Sequence, residues 1–313
     1  MNRIRARTNK KLRFLFVLVF LVLLSVLACR YVYKKPYFVP VRIVGGTSSN
    51  VPYVEVGIEG REYFFTIDLG FFGQGAIDSP CLSEIQNKVF KKTATFWGFL
   101  GNKYQSKVYA IPELAVGRMK FSSVLLDESS LAFQADATAI PLDKCSAAIT
   151  AGTLGSLLFK ETCLCLDLHA SKMAFCDSFE TFKRELKPHN PFSKIPFSFK
   201  NGWIEFDINV AQKTLHCILD SGATLNHINT PNPDKVPIPE FVKGKQPFDN
   251  VQIGGMDFGP IVFSHLPINF PVRIDAIIGV EFILDHVIFI DFIKQEIYFS
   301  KATYVKEAPK PSP

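Results

Sequence analysis

The stretch that most constrains this chain is Leu215-His216-Cys217-Ile218-Leu219-Asp220-Ser221-Gly222-Ala223-Thr224. An apolar run ends in a carboxylate, a hydroxyl, a glycine and two small residues. The run reads as a buried strand, and Ser221-Gly222 as the tight turn that closes it. Such a turn holds Asp220 at the rim of a core, where backbone N–H groups and the Ser221 and Thr224 hydroxyls can reach it. An aspartate followed by serine and glycine also occurs in surface turns. An apolar strand leading straight into it is rarer, and a second copy in the same chain rarer still.

A second, altered copy is present. Phe64-Phe65-Thr66-Ile67-Asp68-Leu69-Gly70 lines up with His216 to Gly222 without a gap. The match runs backwards, with Val54-Glu55-Val56-Gly57-Ile58 over Phe206-Asp207-Ile208-Asn209-Val210. Both segments alternate apolar and polar residues, as half-buried strands do. Two further blocks repeat in the same order. Leu114 to Phe121 lies over Val251 to Phe258, and Thr153-Leu154-Gly155 through Asp167 to Phe175 lies over Ile277-Ile278-Gly279 through Asp291 to Phe299. Three blocks in one order make this an internal duplication. The first copy is longer between Asp68 and Gly155, and its extra residues fall in two insertions, one on each side of the middle block.

With these parts the chain resembles the aspartic peptidases of the retropepsin-like and pepsin-like group. In each lobe of that family a strand runs into an Asp-Thr/Ser-Gly loop, and a later apolar-apolar-Gly strand passes under the loop. Here the parts are Asp220-Ser221-Gly222-Ala223-Thr224 with Ile277-Ile278-Gly279, and Asp68-Leu69-Gly70 with Thr153-Leu154-Gly155. The resemblance covers roughly residues 41–300. It implies a mainly β, bilobal pepsin-like fold made from two retropepsin-like β-barrel lobes in one chain, hence a monomer. It also implies a catalytic pair, Asp68 and Asp220, supported by Ser221, Gly222, Thr224 and Gly70, and neither cofactor nor metal.

The N-terminal segment, 1–35, starts with Arg3, Arg5, Arg7, Lys10, Lys11 and Arg13 and continues as an apolar run from Phe14 to Cys29 broken only by Ser25. A basic flank before an apolar run reads as a signal or signal anchor with its basic end in the cytoplasm. The run is shorter than the ~20 residues of a full span, and Tyr31-Val32-Tyr33 can extend it. Val26-Leu27-Ala28-Cys29 also fits a bacterial lipobox, in which Cys29 would be lipidated. An anchor, a lipoprotein and a cleaved signal stay open, and all three place the body of the protein outside the cytoplasm, in the cell envelope if the source is bacterial. The net charge of +6 comes almost entirely from this segment, so the pI carries no nucleic-acid footprint.

Residues 36–50 read as a lead-in, 51–177 as lobe 1, 178–194 as an inter-lobe helix and linker, 195–300 as lobe 2, and 301–313 as a disordered tail. In lobe 1, residues 93–104 read as a hairpin with Gly101-Asn102-Lys103 near its turn. By the resemblance this hairpin is a flap over the cleft, with Trp97, Gly98, Phe99 and Tyr104 facing substrate; otherwise it is a surface hairpin whose aromatics pack on the lobe. The second insertion, from Asp127 to Ala148, has no clear period. Asp177 with Glu180 makes a capping-box pattern for a short helix over 177–186, with Phe179, Phe182 and Leu186 on one face. The Pro-rich loop after Asp220 (Pro231, Pro233, Pro237, Pro239) suits a lobe without a flap.

Seven cysteines are irregularly spaced. Cys163, Cys165 and Cys217 align with apolar residues and read as small core residues. Cys81, Cys145 and Cys176 are free to pair in an oxidising compartment. The histidines show no metal spacing, and no phosphate loop, dinucleotide fingerprint or nucleophile elbow is present.

Two carboxylates close enough to share a proton cannot both ionise, so one stays an acid while the other is a base. The base activates a water and the acid polarises the scissile carbonyl. An extended peptide would lie across both lobes. Leu69 departs from the family pattern. The hydroxyl after each aspartate bonds across to the other loop in that family; Ser221 can do this and Leu69 cannot, and Phe72, aligned with Thr224, also lacks a hydroxyl. The expectation is a membrane-tethered aspartic endopeptidase. The alternative is a non-catalytic module that binds a peptide or a partner on the same scaffold, and Phe71-Phe72, bulky after Gly70, would fill the cleft of a purely structural envelope protein.

Overall fold

The computed structural model describes residues 36–44, 50–97, 103–129, 150–186, 190–200, 202–229, 245–266 and 272–301. Cys29 and the whole N-terminal segment, Cys145, most of the second insertion, the Pro-rich loop and nearly all of the tail lie outside them. Among the described residues no helix is long and apolar enough to cross a membrane.

The described chain is mainly β. Its first half contains β1 (Tyr37–Pro40), β2 (Arg42–Val44), β3 (Val51–Ile58), β4 (Arg61–Asp68), β5 (Gly75–Asp78), β6 (Val89–Trp97), β7 (Lys103–Val116), β8 (Met119–Ser129), β9 (Gly152–Gly155), β10 (Cys163–Asp167) and β11 (Lys172–Cys176). Its second half contains β12 (Ser193–Pro196), β13 (Glu205–Val210), β14 (Lys213–Leu219), β15 (His227–Asn229), β16 (Gln246–Phe248), β17 (Val251–Ile253), β18 (Met256–Asp257), β19 (Ile261–Leu266), β20 (Ala276–Ile278), β21 (His286–Asp291) and β22 (Glu296–Lys301). The stretch read as a lead-in contributes β1, which pairs with β11, and β2, which pairs with β3.

The first half forms one sheet in the order β2-β3-β4-β9-β5-β8-β7-β6. β7 also returns to β3, with Val56 opposite Val116, so that six strands close into a barrel. Alternation in β3 and β4 buries Val54, Val56, Ile58, Phe65 and Ile67 inside it. The second half has the order β16-β19-β15-β20-β14-β13-β17-β18, a curled sheet whose ends do not pair with each other among the described residues. The middle block of the duplication becomes matching hairpins in the two halves. β7 turns into β8 at Gly117-Arg118, and β17 into β18 at Gly254-Gly255. Gly117 and Gly254 take nearly the same left-handed φ, 59° and 58°, a conformation that glycine enters without a Cβ clash.

A third sheet, β1-β11-β10-β21-β22-β12, joins the halves. At its centre Leu164 pairs with Ile290 and Leu166 with Ile288. The duplication superposes 164 on 288 and 166 on 290, so exchanging the halves exchanges these two pairs. A local twofold axis therefore passes through this ladder. Cys163 and Cys165 are buried in it, Cys217 is buried in β14, and Cys81 and Cys176 are free thiols.

The helix between the halves covers Phe179–Leu186. Its cap is Ser178 rather than Asp177. The Thr181 N–H donates to Ser178 Oγ at 3.2 Å, so the cap sits one residue later than the sequence pattern suggested. Phe179 and Phe182 bury against Cys165, Phe289 and Tyr298 of the shared sheet, which fixes the helix on the outside of the junction.

Candidate active site

Asp68 ends β4, and Asp220 follows β14. Each of these strands has a parallel neighbour from the third block of its own half. β4 runs beside β9, with Asp68 opposite Gly155, and β14 beside β20, where the Asp220 N–H donates to the Ile278 carbonyl at 2.9 Å. The glycines that end these blocks lie directly under the loops. A Cβ on Gly155 would sit 2.8 Å from the Phe71 carbonyl oxygen, and one on Gly279 2.7 Å from that of Ala223. This close approach accounts for the apolar-apolar-Gly pattern in both copies.

The two aspartate loops have the same geometry. Asp68 Oδ1 accepts the Gly70 and Phe71 N–H groups, each at 3.0 Å. Asp220 Oδ1 accepts those of Gly222 and Ala223 at 2.8 and 3.0 Å. An aspartate that bonds its own backbone two and three residues on locks the turn and aims its outer oxygen away from it. The loops also face each other. A Cβ on Gly70 would lie 2.5 Å from Asp220 Oδ1, and one on Gly222 2.5 Å from Asp68 Cγ. Only glycine leaves room for the opposite carboxyl at these positions.

The two carboxyls are hydrogen-bond neighbours, and burial pushes both above the ordinary carboxylate range. For Asp68 the adjacent Asp220 adds to the rise, while the Phe71 and Gly70 N–H groups oppose it. For Asp220 the Gly222 N–H is the largest opposing influence. The physical content is one proton held between two oxygens that cannot both be charged.

Ser221, fully buried, ties one loop to the other. Its Oγ accepts the Leu69 N–H at 3.0 Å and donates to the Ile67 carbonyl at 2.6 Å. The link is one-sided, because Leu69 has no hydroxyl to return it. The Leu69 side chain is instead packed in the main apolar core. The Thr224 hydroxyl makes no hydrogen bond among the described residues; Thr224 serves through its carbonyl, which accepts the Glu281 N–H at 3.2 Å.

Each ring of the bulky pair after Gly70 has its own packing partners. Phe71 lies over Gly73 and Gly155 of its own half. Phe72 packs across the junction on a cluster made by Trp203, Ile218, Ile274 and Ile277 of the second half, its ring edge-on to Trp203 at 6.3 Å.

Three contributors were not picked out from the sequence. Trp203 Nε1 donates to the Gly70 carbonyl at 2.6 Å, Ser156 Oγ donates to the Gly202 carbonyl, and Asn226 Oδ1 accepts the Gly279 N–H at 2.9 Å. The first two cross between the halves. A signal for Trp203 existed: it stands just ahead of the first repeated block and is one of only two tryptophans.

The hairpin expected over 93–104 is present as β6 and β7, paired from Val89 opposite Ala110 to Trp97 opposite Lys103, with one shift of register between Phe90 and Lys92. Gly98 and Phe99 lie outside the described residues. Tyr104 pairs with Phe96 and Trp97 with Lys103, on adjacent rungs. No family model matches this chain, and no curated protein matches it.

Proposed function

We propose that this protein is an aspartic endopeptidase, with two retropepsin-like lobes in one chain and an N-terminal segment that tethers it to a membrane. The observation that carries the reading is the mutual approach of the two loops. Each places a glycine against the other's carboxyl, and Ser221 bonds one to the other. Asp68 and Asp220 would hold a water between them. The ionised carboxylate takes a proton from the water as its oxygen bonds to the scissile carbonyl carbon. The protonated carboxyl gives its proton to the carbonyl oxygen, forming a tetrahedral diol. The carboxyl that gained the water's proton then donates it to the amide nitrogen as the C–N bond breaks, and the other takes the proton of the collapsing diol. Two fixed N–H donors on each aspartate hold the pair ready for this exchange.

The test is incubation of the full-length protein with a mixed peptide library from about pH 3 to 7, beside Asp68→Asn and Asp220→Asn. These variants keep the shape of the side chain and remove its ability to trade a proton. Cleavage by wild type that both variants abolish is the expected result; cleavage that survives in either variant refutes the dyad.

One observation favours a second reading. Because Leu69 is buried apolar core and cannot return the bridge, the scaffold fits a peptide-binding module without catalysis. A folded protein that retains peptides but never cuts them, even as Leu69→Thr, would establish that reading in place of the first.

A further inference from the structure

The strand register extends the site beyond the two aspartates. Alternate residues of a strand and directly opposite residues of its neighbours share a face. Thr66, two before Asp68, therefore shares the carboxyl's face. It is opposite Thr153 of β9, which is opposite Ala76 of β5, which is opposite Asp127 of β8. The row in the second half is Ile218, Ile277, His227 and Ser264, read from β14, β20, β15 and β19 in the same way. The two rows are counterparts under the duplication and differ at every position.

In the second half the row is apolar beside the carboxyl and closed. Ile218 and Ile277 are 1% and 0% exposed under Trp203 and Phe72. Its far end is satisfied internally, with Ser264 Oγ 2.6 Å from His227 Nδ1. In the first half Thr66 and Thr153 are partly exposed. Thr66 Oγ1 donates to the Gly152 carbonyl at 3.2 Å. Thr153 is then the donor in the 2.8 Å contact between the two hydroxyls, and its own lone pairs stay open as acceptors. At the far end Asp127 Oδ2 points back at the loop that carries Asp68, 3.3 Å from where a Cβ of Gly73 would stand. Asp127 has no hydrogen bond or ion pair among the described residues. Lys92, exposed and two strands further across the same row, beyond Val108, acts on it only at a distance, and burial holds the carboxyl up to about 6. Thr153 and Asp127 are separated by two strand spacings, about 10 Å, and both offer acceptors, with the Ala76 methyl between them in the row and the Phe71 ring alongside, over Gly73.

We infer that the first-half side of the cleft selects a basic side chain, lysine or arginine, which crosses the Thr66–Thr153 pair and ends on the Asp127 carboxylate. Among the described residues, the corresponding row on the opposite side carries no carboxylate. This specificity rests on the proposed function, in that a peptide must lie across the two aspartates. A charge-assisted bond to a carboxylate that otherwise lacks a partner is a strong discriminator against an uncharged side chain of equal length.

The experiment offers the full-length protein a peptide library in which each position in turn is fixed as lysine or norleucine, and analyses retained and cleaved peptides separately. Wild type is expected to favour lysine over norleucine about tenfold or more at one position. Asp127→Asn brings that ratio to about one, and Asp127→Glu keeps most of it. Thermal unfolding of each variant confirms that it is folded. Retention or cleavage without discrimination between the two side chains, or a preference that persists in Asp127→Asn, overturns the inference and leaves the proposed function standing. Neither retention nor cleavage of any peptide overturns both.

Discussion

Removing the Ser221 hydroxyl tests how the two carboxyls are held. Ser221→Ala strands two groups at once, the Leu69 N–H and the Ile67 carbonyl. Leu69, Ile67 and Ser221 are all fully buried, so water cannot replace the lost partner. A stranded buried polar group costs about 1–3 kcal/mol, which for two groups puts the variant roughly 2–6 kcal/mol below wild type. For a protein of this size that lowers Tm by roughly 5–15 °C. The same bonds set the spacing of the loops, and a displacement of about 1 Å between reacting groups costs about a hundredfold in rate. Urea unfolding followed by tryptophan fluorescence reads the first quantity, and turnover of whichever library peptide wild type cuts best reads the second. Ser221→Thr keeps the hydroxyl, so its turnover should stay nearer wild type than that of Ser221→Ala, whatever its extra methyl costs in packing. The reasoning is refuted if Ser221→Ala unfolds within about 0.5 kcal/mol of wild type and retains full turnover, or if Ser221→Thr is as slow as Ser221→Ala.

Leu69→Thr sets two effects against each other: it gives up apolar contacts in the main core, at about 1–3 kcal/mol, and supplies a hydroxyl that can return the bridge at about 0.5–1.5 kcal/mol per bond. It should therefore be less stable in urea yet turn over peptide faster than wild type, and a slower variant would show that the missing hydroxyl is not what limits the site. Asp127 has a folded pKa of about 6 against an ordinary 3.8, so its contribution is neutral below about pH 4 and increasingly destabilising as pH rises to 6. Asp127→Asn should match wild type at pH 4 and exceed it at pH 7 by at most about 3 kcal/mol, less the screening at its exposed edge; equal gains at both pH values would rule out ionisation as the cause. His227 behaves oppositely. Burial holds it down to about 4 against an ordinary 6.5, so the unfolded chain takes up protons first and stability is lost as pH falls from 6.5 towards 4. His227→Gln should flatten the acid side of a stability–pH curve by up to about 3 kcal/mol, measured by urea midpoints at half-unit steps. If the apolar run Phe14–Cys29 anchors the chain, the protein should stay with membranes through alkaline carbonate extraction; incorporation of labelled lipid that Cys29→Ser abolishes would identify the lipoprotein form instead.

The sequence by itself determined the duplication and the location of the two aspartates. An apolar strand that runs into an aspartate and a glycine is a local pattern, and its two copies placed Asp68 and Asp220 in equivalent turns before any contact between them was known. It also showed that the later glycines recur; the reason, that a strand passing directly beneath a loop has no room for a Cβ, came from the structure. The tertiary structure decided everything that depends on which strands lie side by side. The shared sheet with its twofold ladder, the bond from Trp203 to Gly70 and the one-sided bridge of Ser221 to Leu69 and Ile67 join residues far apart in the chain. Their residue types carry no mark of the partner. The hairpin over 93–104 was legible as a hairpin, but the register of its two strands was not, because sequence spacing does not fix which residues pair. The contrast between Thr66-Thr153-Ala76-Asp127 and Ile218-Ile277-His227-Ser264 is of the same kind. Each row draws one residue from each of four strands, and hydrogen bonding between those strands, not sequence spacing, sets which residues meet.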